Sequence, residues 1–104
     1  MTTQFIRDRI TQLRLQKGIT EYKMSYDLGH SRGYINNISS GKTLPSMTEF
    51  LAICEYFGIT PVHFFEENNQ SPMVLDALVR KLCCLDSKNL ELVGQLVEQL
   101  AKIR

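Results

Sequence analysis

Long apolar runs are missing from this chain. No stretch approaches the roughly 20 consecutive apolar residues that a membrane-spanning helix needs. The first ten residues, MTTQFIRDRI, carry charges where a secretory leader carries its apolar segment. A cytoplasmic location, away from any membrane, is therefore expected. Proline is scarce, with 3 residues in 104, so no long irregular connection is required. Cysteine is scarce and odd in number. Cys54, Cys83 and Cys84 lack metal-ligand spacing, and adjacent cysteines make poor partners for one disulfide, so buried or half-buried free thiols are expected. No glycine-rich phosphate loop, Ser/His/Asp pattern or metal spacing occurs. The expectation is a non-enzyme with no cofactor, no metal and no small-molecule ligand. Charge of one sign is also missing, since the net value is only +1. What remains is 43% hydrophobic and 22% charged, an ordinary soluble composition. The length predicts one domain with a small appendage and no separate effector domain.

The small net charge is unevenly placed. Residues 1–45 hold Arg7, Arg9, Arg14, Lys17, Lys23, Arg32 and Lys42 against Asp8, Glu21 and Asp27, a balance of +4, which leaves −3 for the remainder. A basic half points mildly to an anionic partner.

No segment alternates with period two, and apolar residues recur at helical spacing throughout, so the chain is expected to be all-α. A first helix over about Gln4 to Lys17 carries Ile6, Ile10 and Leu13 and stops at Gly18. Thr20 is a good N-cap for a second helix to Leu28, with Met24 and Leu28 inward. Gly29 ends it, because glycine readily takes the left-handed conformation of a tight turn. Ser31 is expected to cap a third helix over Arg32 to Ser39, with Ile35 and Ile38 buried and Gly41 and Pro45 beyond its end. Ser46 and Glu49 form a capping box for a fourth helix, Met47 to Phe57, with Phe50, Ile53, Cys54 and Phe57 inward. Thr60 and Pro61 start a short fifth helix through Phe64 and Phe65. The expected organisation is a domain over residues 1–65, a polar linker over 66–72, and a helical hairpin over 73–104.

Only a few residues around Gly29 join the second and third helices, which makes two helices cross steeply, as in a helix-turn-helix. With Ile35 and Ile38 buried, Arg32, Gly33, Asn36 and Asn37 point away from the core. Asn pairs bidentately with adenine and Arg with guanine in the major groove, and Gly33 lets a backbone or a thymine methyl come close. Ser31, Tyr34, Ser40, Lys42 and Thr43 surround that face with groups suited to phosphates, and the two helix N-termini add backbone donors. Tyr22 and Tyr26, four apart, are expected to pack, and His30 to sit partly buried in the turn.

The segments LRLQKGIT, MSYDLG, SRGYINNISSGKTLPS and FLAICEYFGI, in that order and at that spacing, resemble the Cro and phage-repressor type of helix-turn-helix, also called XRE-like. The resemblance covers roughly Ile6 to Phe65. It implies a five-helix domain whose third helix enters the major groove of double-stranded DNA, usually as a homodimer on a near-palindromic operator, and so a transcriptional regulator, most often a repressor. The family's base-reading positions fall on Ser31, Arg32, Gly33 and Asn37. Its backbone contacts fall near Thr20, Glu21, Ser40, Lys42 and Thr43. Three positions depart from the family pattern. Glu21 stands where a glutamine is common, which favours the helix dipole but repels phosphate. Ser39 stands where many members have a glutamate paired with the arginine at position 14, so Arg14 loses that partner and is expected to find another carboxylate or to turn toward DNA, and a carboxylate at 39 is expected to be tolerated. His30 replaces a usually apolar turn residue.

The alternative reading is a helix-turn-helix module whose third helix meets a protein, antitoxin-like or an adaptor, with little intrinsic DNA specificity. The basic excess and the Arg/Asn face favour DNA. The tail bears two apolar stripes, one on each helix. Leu75, Leu78 and Leu82 lie on the first, and Val93, Leu96, Val97 and Leu100 on the second. A hairpin covers such stripes only in part, so a dimer interface is expected there.

Overall fold

A computed structural model describes residues 1–68 and 71–103. Asn69 and Gln70 of the expected linker, and Arg104, lie outside the described residues. Seven helices follow in order: α1 (Thr3–Lys17), α2 (Glu21–Asp27), α3 (Tyr34–Ser39), α4 (Met47–Phe57), α5 (Pro61–Phe64), α6 (Pro72–Leu82) and α7 (Ser87–Lys102). No strand occurs among the described residues.

Helix starts follow side-chain chemistry. The Thr20 hydroxyl accepts from the Lys23 N–H at 3.0 Å. Ser46 and Glu49 close a reciprocal capping box at 3.1 and 2.8 Å. Asp86 accepts from the Asn89 N–H at 2.8 Å. Each such cap contributes about 1 kcal/mol by satisfying a donor the helix leaves open. The third helix is shorter than its sequence implies. It is preceded by a turn in which the Tyr34 N–H donates to the Ser31 carbonyl at 3.1 Å, and Gly33, not Ser31, is the capping residue. The chain needs that turn to re-aim after Gly29, whose φ is +75°. Ser31, Arg32 and Gly33 are therefore turn residues.

The core is one cluster: Ile10 and Leu13 from α1, Met24 from α2, Ile35 and Ile38 from α3, Phe50, Ile53, Cys54 and Phe57 from α4, then Ile59 and Phe64. Phe50 meets Phe64 edge to face, with centroids 4.9 Å apart. Burying one such side chain stabilises by roughly 1.5–3 kcal/mol, so Ile35 and Ile38 fix which side of α3 faces inward. Burial pushes the Cys54 thiol up to about 11, which leaves it unreactive. Cys83 and Cys84 are exposed, contrary to the expectation of buried or half-buried thiols. They sit on the turn after α6, where no other element covers them. Tyr22 and Tyr26 also differ from expectation, being 55% and 73% exposed because their face of α2 points away from the core.

The apolar stripes of the two tail helices remain largely uncovered. α6 is attached to α5. Pro72 and Asp76 are buried, and the Asp76 Oδ1 accepts from the Thr60 N–H at 3.1 Å and from His63 Nδ1 at 2.8 Å. Its Oδ2 lies 2.7 Å from Arg80, an ion pair without hydrogen-bond alignment, and Arg80 donates to the Gly58 carbonyl at 2.6 Å. Burial alone would raise the Asp76 pKa. The His63 and Thr60 hydrogen bonds and the Arg80 charge outweigh it and hold the carboxyl below its usual value. α7, in contrast, buries none of its residues. The stripe expected of it is present, but Leu96, Val97 and Leu100 are exposed.

Candidate nucleic-acid interface

The α2–turn–α3 unit is held by a small buried hydroxyl. Ser25, fully buried, donates to the Glu21 carbonyl at 2.8 Å and accepts from the Ile35 N–H at 3.1 Å. One side chain thus bonds both helices of the crossing. The His30 N–H donates to the Ser25 carbonyl at 3.0 Å, which carries the chain out of α2 toward the turn.

On the outer side the structure leaves Thr20, Ser31, Arg32, Gly33, Asn36, Ser40, Lys42 and Thr43 exposed, and Asn37 half-buried. The loop bearing Lys42 and Thr43 is shaped from within. Both of their N–H groups donate to the Asn37 carbonyl, at 2.9 and 3.1 Å. Arg7 of α1 fastens the same loop. Its Nε donates to the Ile38 carbonyl at 2.9 Å, and its Nη2 to the Gly41 and Thr43 carbonyls at 3.3 Å. Arg7 is thus a supporting residue that sequence reasoning missed. Helical periodicity places Arg7 on α1 but gives no signal that its side chain reaches residues more than thirty positions away.

Two candidates are engaged otherwise than expected. Tyr34 turns inward and stacks on His30, with ring centroids 3.8 Å apart and planes 9° from parallel. Its hydroxyl is buried without a well-formed hydrogen bond, although Glu49 lies close enough to oppose its ionisation. Burial, reinforced by Glu49, raises the phenol's pKa. Tyr34 therefore does not present its hydroxyl to a phosphate in this conformation. Asn36 stays exposed, but its Nδ2 donates to Glu21 Oε1 at 3.1 Å. The other Glu21 oxygen accepts from the Ser39 hydroxyl at 2.6 Å. The Ser39 hydrogen bond leads the effects that hold the Glu21 carboxyl below its usual pKa. Burial opposes it, while Asn36 and the Arg14 charge add to it. The departures at positions 21 and 39 are therefore linked. The carboxylate facing Arg14 comes from α2 instead of α3, and Arg14 also donates to the Ile19 carbonyl at 2.8 Å. Arg14 thus lacks a carboxylate at position 39, as expected, and the nearby carboxylate charge is that of Glu21.

The excess of positive charge in residues 1–45 is largely spent inside the domain. Arg7 and Arg14 bond backbone carbonyls. Arg9 is buried, lies over the Phe5 ring at 5.0 Å, and donates to the Glu66 carbonyl at 2.7 Å. Lys17 lies over the Tyr56 ring at 3.9 Å, and Lys23 pairs with Asp27 at 2.8 Å. Arg32 and Lys42 are the cations at the two ends of the outer α3 face. Arg32 lies over the Tyr22 ring, 5.3 Å from its centroid.

Among the described residues no group of three or more metal-ligating side chains gathers, and no helix is long and apolar enough to cross a membrane. The residues expected at a dimer interface lie on α6 and α7. On α6, Leu75 and Leu82 are half-buried and Leu78 exposed. On α7, Val93 is half-buried and Leu96, Val97 and Leu100 are exposed.

A comparison with protein families matches residues 8–70 to a model described as a helix-turn-helix domain. The match runs from within α1 to beyond α5 and covers more than half of the chain. Neither a curated protein nor a solved structure matches the chain.

Proposed function

From the premise that this chain belongs to the helix-turn-helix family of the Cro and phage-repressor type, we propose that it is a sequence-specific DNA-binding transcriptional regulator acting as a repressor. The observation that carries this reading is the outer face of the α2–turn–α3 unit. Arg32, Gly33, Asn36 and Asn37 line it, Lys42 and Thr43 flank it, and the hydrophobic core accounts for none of these polar groups. Arg32 and Asn37 read base edges in the major groove. Thr20, Ser31, Ser40, Lys42 and Thr43 contact the sugar–phosphate backbone. Asn36 reads a base only by leaving Glu21, and Tyr34 supports the turn.

The chain works as a homodimer on a near-palindromic operator. The support is α7, a helix of sixteen residues with no buried side chain and an apolar face open to solvent. Two-fold pairing of α7 covers that face and spaces two α3 helices about 34–36 Å apart, one turn of DNA, or a multiple of that.

The test is binding to random duplex DNA at two salt concentrations, followed by selection of preferred sites. Phosphate contacts make affinity fall steeply with salt, and base readout yields a selected sequence with two half-sites. Salt-insensitive or absent binding would favour the rival reading, a protein-binding helix-turn-helix. Glu21 is the observation on that side, since it sets a carboxylate at the start of α2 where the family meets phosphate.

A further inference from the structure

Arg32 lies in the turn before α3, so no helical hydrogen-bond ladder sets the direction of its side chain. What sets it is an aromatic ring. The guanidinium carbon sits 5.3 Å from the centroid of Tyr22, one helix away. Tyr22 is 55% exposed, and Tyr26, one turn further along α2, is 73% exposed, so core burial explains neither ring. Together with His30 and Arg32 they line a cleft of about 130 Å³. His30 is in turn stacked face to face on Tyr34 at the first position of α3. The cleft is thus walled by α2 and tied through His30 to α3.

We propose that Tyr22 is a specificity-determining positioning residue, whose ring holds the Arg32 guanidinium in the plane from which its fork meets a guanine edge. The inference rests on the DNA-binding reading above. A planar guanidinium lies on an aromatic face while its edge donors stay free, which a lysine ammonium does not do. A side chain already stacked loses less rotational freedom when it meets the base. The contact therefore acts on discrimination at one base pair rather than on backbone affinity. An exposed cation–π contact is of a size to change that discrimination about two- to five-fold.

The experiment uses the full chain and its best selected duplex, with every single-base variant of that duplex as competitor. Six proteins are compared: wild type, Arg32→Ala, Asn37→Ala, Tyr22→Phe, Tyr22→Ala and the Tyr22→Ala/Arg32→Ala double variant. Thermal melting verifies that each is folded. Tyr22→Phe, which keeps the ring, should match wild type at every position. Tyr22→Ala should lower discrimination about two- to five-fold at the one base pair where Arg32→Ala lowers it, and leave the salt slope unchanged. The double variant should discriminate no worse than Arg32→Ala alone. The proposal is overturned if Tyr22→Ala changes no ratio, changes a different base pair, or weakens all duplexes equally. It is also overturned if Arg32→Ala leaves all ratios intact while Asn37→Ala shifts one, although the DNA-binding reading then survives. If no duplex is preferred by the wild type, that reading itself falls.

Discussion

Replacing Ser39 with glutamate tests how the α2–α3 unit is held. In the family pattern a carboxylate at this position meets the arginine of α1, which makes the substitution look harmless. The geometry reverses that expectation. The Ser39 hydroxyl is a short donor, 2.6 Å from Glu21 Oε2, and Arg14 already faces the Glu21 charge while donating to the Ile19 carbonyl. Ser39→Glu removes the donor and sets a second carboxylate beside the first. A hydrogen bond to a charged group is worth about 1.5–3 kcal/mol when buried. Glu21 and Ser39 are only half-buried, so solvent screening brings the expected loss to about 1–2 kcal/mol. At about 4–8 °C per kcal/mol for a domain of this size, the melting temperature should fall by several degrees at pH 7.

Moving the carboxylate back should repair the damage. Glu21→Gln/Ser39→Glu restores one acid opposite Arg14, with an amide as its neighbour, so the double variant should recover most of the loss. The pH dependence has a definite sign. In the wild type the Glu21 carboxyl is held below its unfolded value near 4.5. Its contribution is therefore present above that value and lost as pH falls through the folded one. In Ser39→Glu the two neighbouring acids raise each other's pKa, so the penalty is present at neutral pH and shrinks on acidification. The gap between the two melting curves, followed by circular dichroism, should narrow from pH 7 to pH 4.5. Ser39→Glu melting at or above wild type at pH 7, with no coupling in the double-variant cycle, would refute the linkage of these residues.

Other outcomes follow from the same geometry. Arg32→Ala and Asn37→Ala should each cost about 1–3 kcal/mol on the best duplex and relax preference at one base pair, measured by competition binding; unchanged preference in both would remove them as base readers. Lys42→Ala should weaken all duplexes about equally and lower the salt slope by about 1, whereas a sequence-selective loss would contradict a phosphate role. Asp76→Asn should destabilise the chain by about 1–3 kcal/mol at pH 7, as the buried partner of His63 and Arg80 loses its charge. That deficit should shrink as acid titrates the wild-type Asp76 through its lowered folded pKa, so a pH-independent deficit in the melts would refute the charge account. Truncation after Leu85, which removes α7 and keeps α6 docked, should give a folded monomer with much weaker operator binding by sedimentation and titration; a truncated chain that stays dimeric would exclude α7 as the interface.

Local rules made the elements legible in the sequence. Thr20 and the Ser46/Glu49 pair mark helix starts because each carries an oxygen that accepts from an N–H three residues on. The apolar spacing of Ile10, Leu13, Phe50, Ile53 and Phe57 names the core because one helical face must be covered. Where the reading failed, the deciding contacts lie far apart in sequence. The start of α3 depends on how the turn after Gly29 closes, not on Ser31's capping preference. Tyr22 and Tyr26 have a spacing that suits packing as well as exposure, and the orientation of α2 on the core decides which holds. The attachment of α6 turns on Asp76, which looks like a polar residue of a solvated helix until Thr60 and His63 meet it. In the outer α3 face, the residue types and their exposure were legible, while the commitment of Asn36 to Glu21 and of Tyr34 to His30 was not.

The same distinction applies to charge. Counting residues 1–45 yields a basic half, yet a count does not separate cations that face outward from those that hold the fold. Arg7, Arg9 and Arg14 donate to backbone carbonyls of other segments. An arginine reaching a carbonyl leaves its charge in place, but it fixes the guanidinium away from any groove and withdraws its donors. The outer α3 face is then left with Arg32 at its turn and Lys42 at its loop, with the Glu21 carboxylate between α2 and α3 as an opposing charge. One such module gathers few phosphates, so its affinity for DNA should be low and its salt slope shallow. In the proposed dimer, two modules joined through α7 would double the cations on one duplex, and the second would bind at the effective concentration set by the first. That dimer would account for the modest charge of the face and the uncovered apolar helix together. Each module alone should bind weakly, and the apolar face of α7 is open for the pairing that would join it to another.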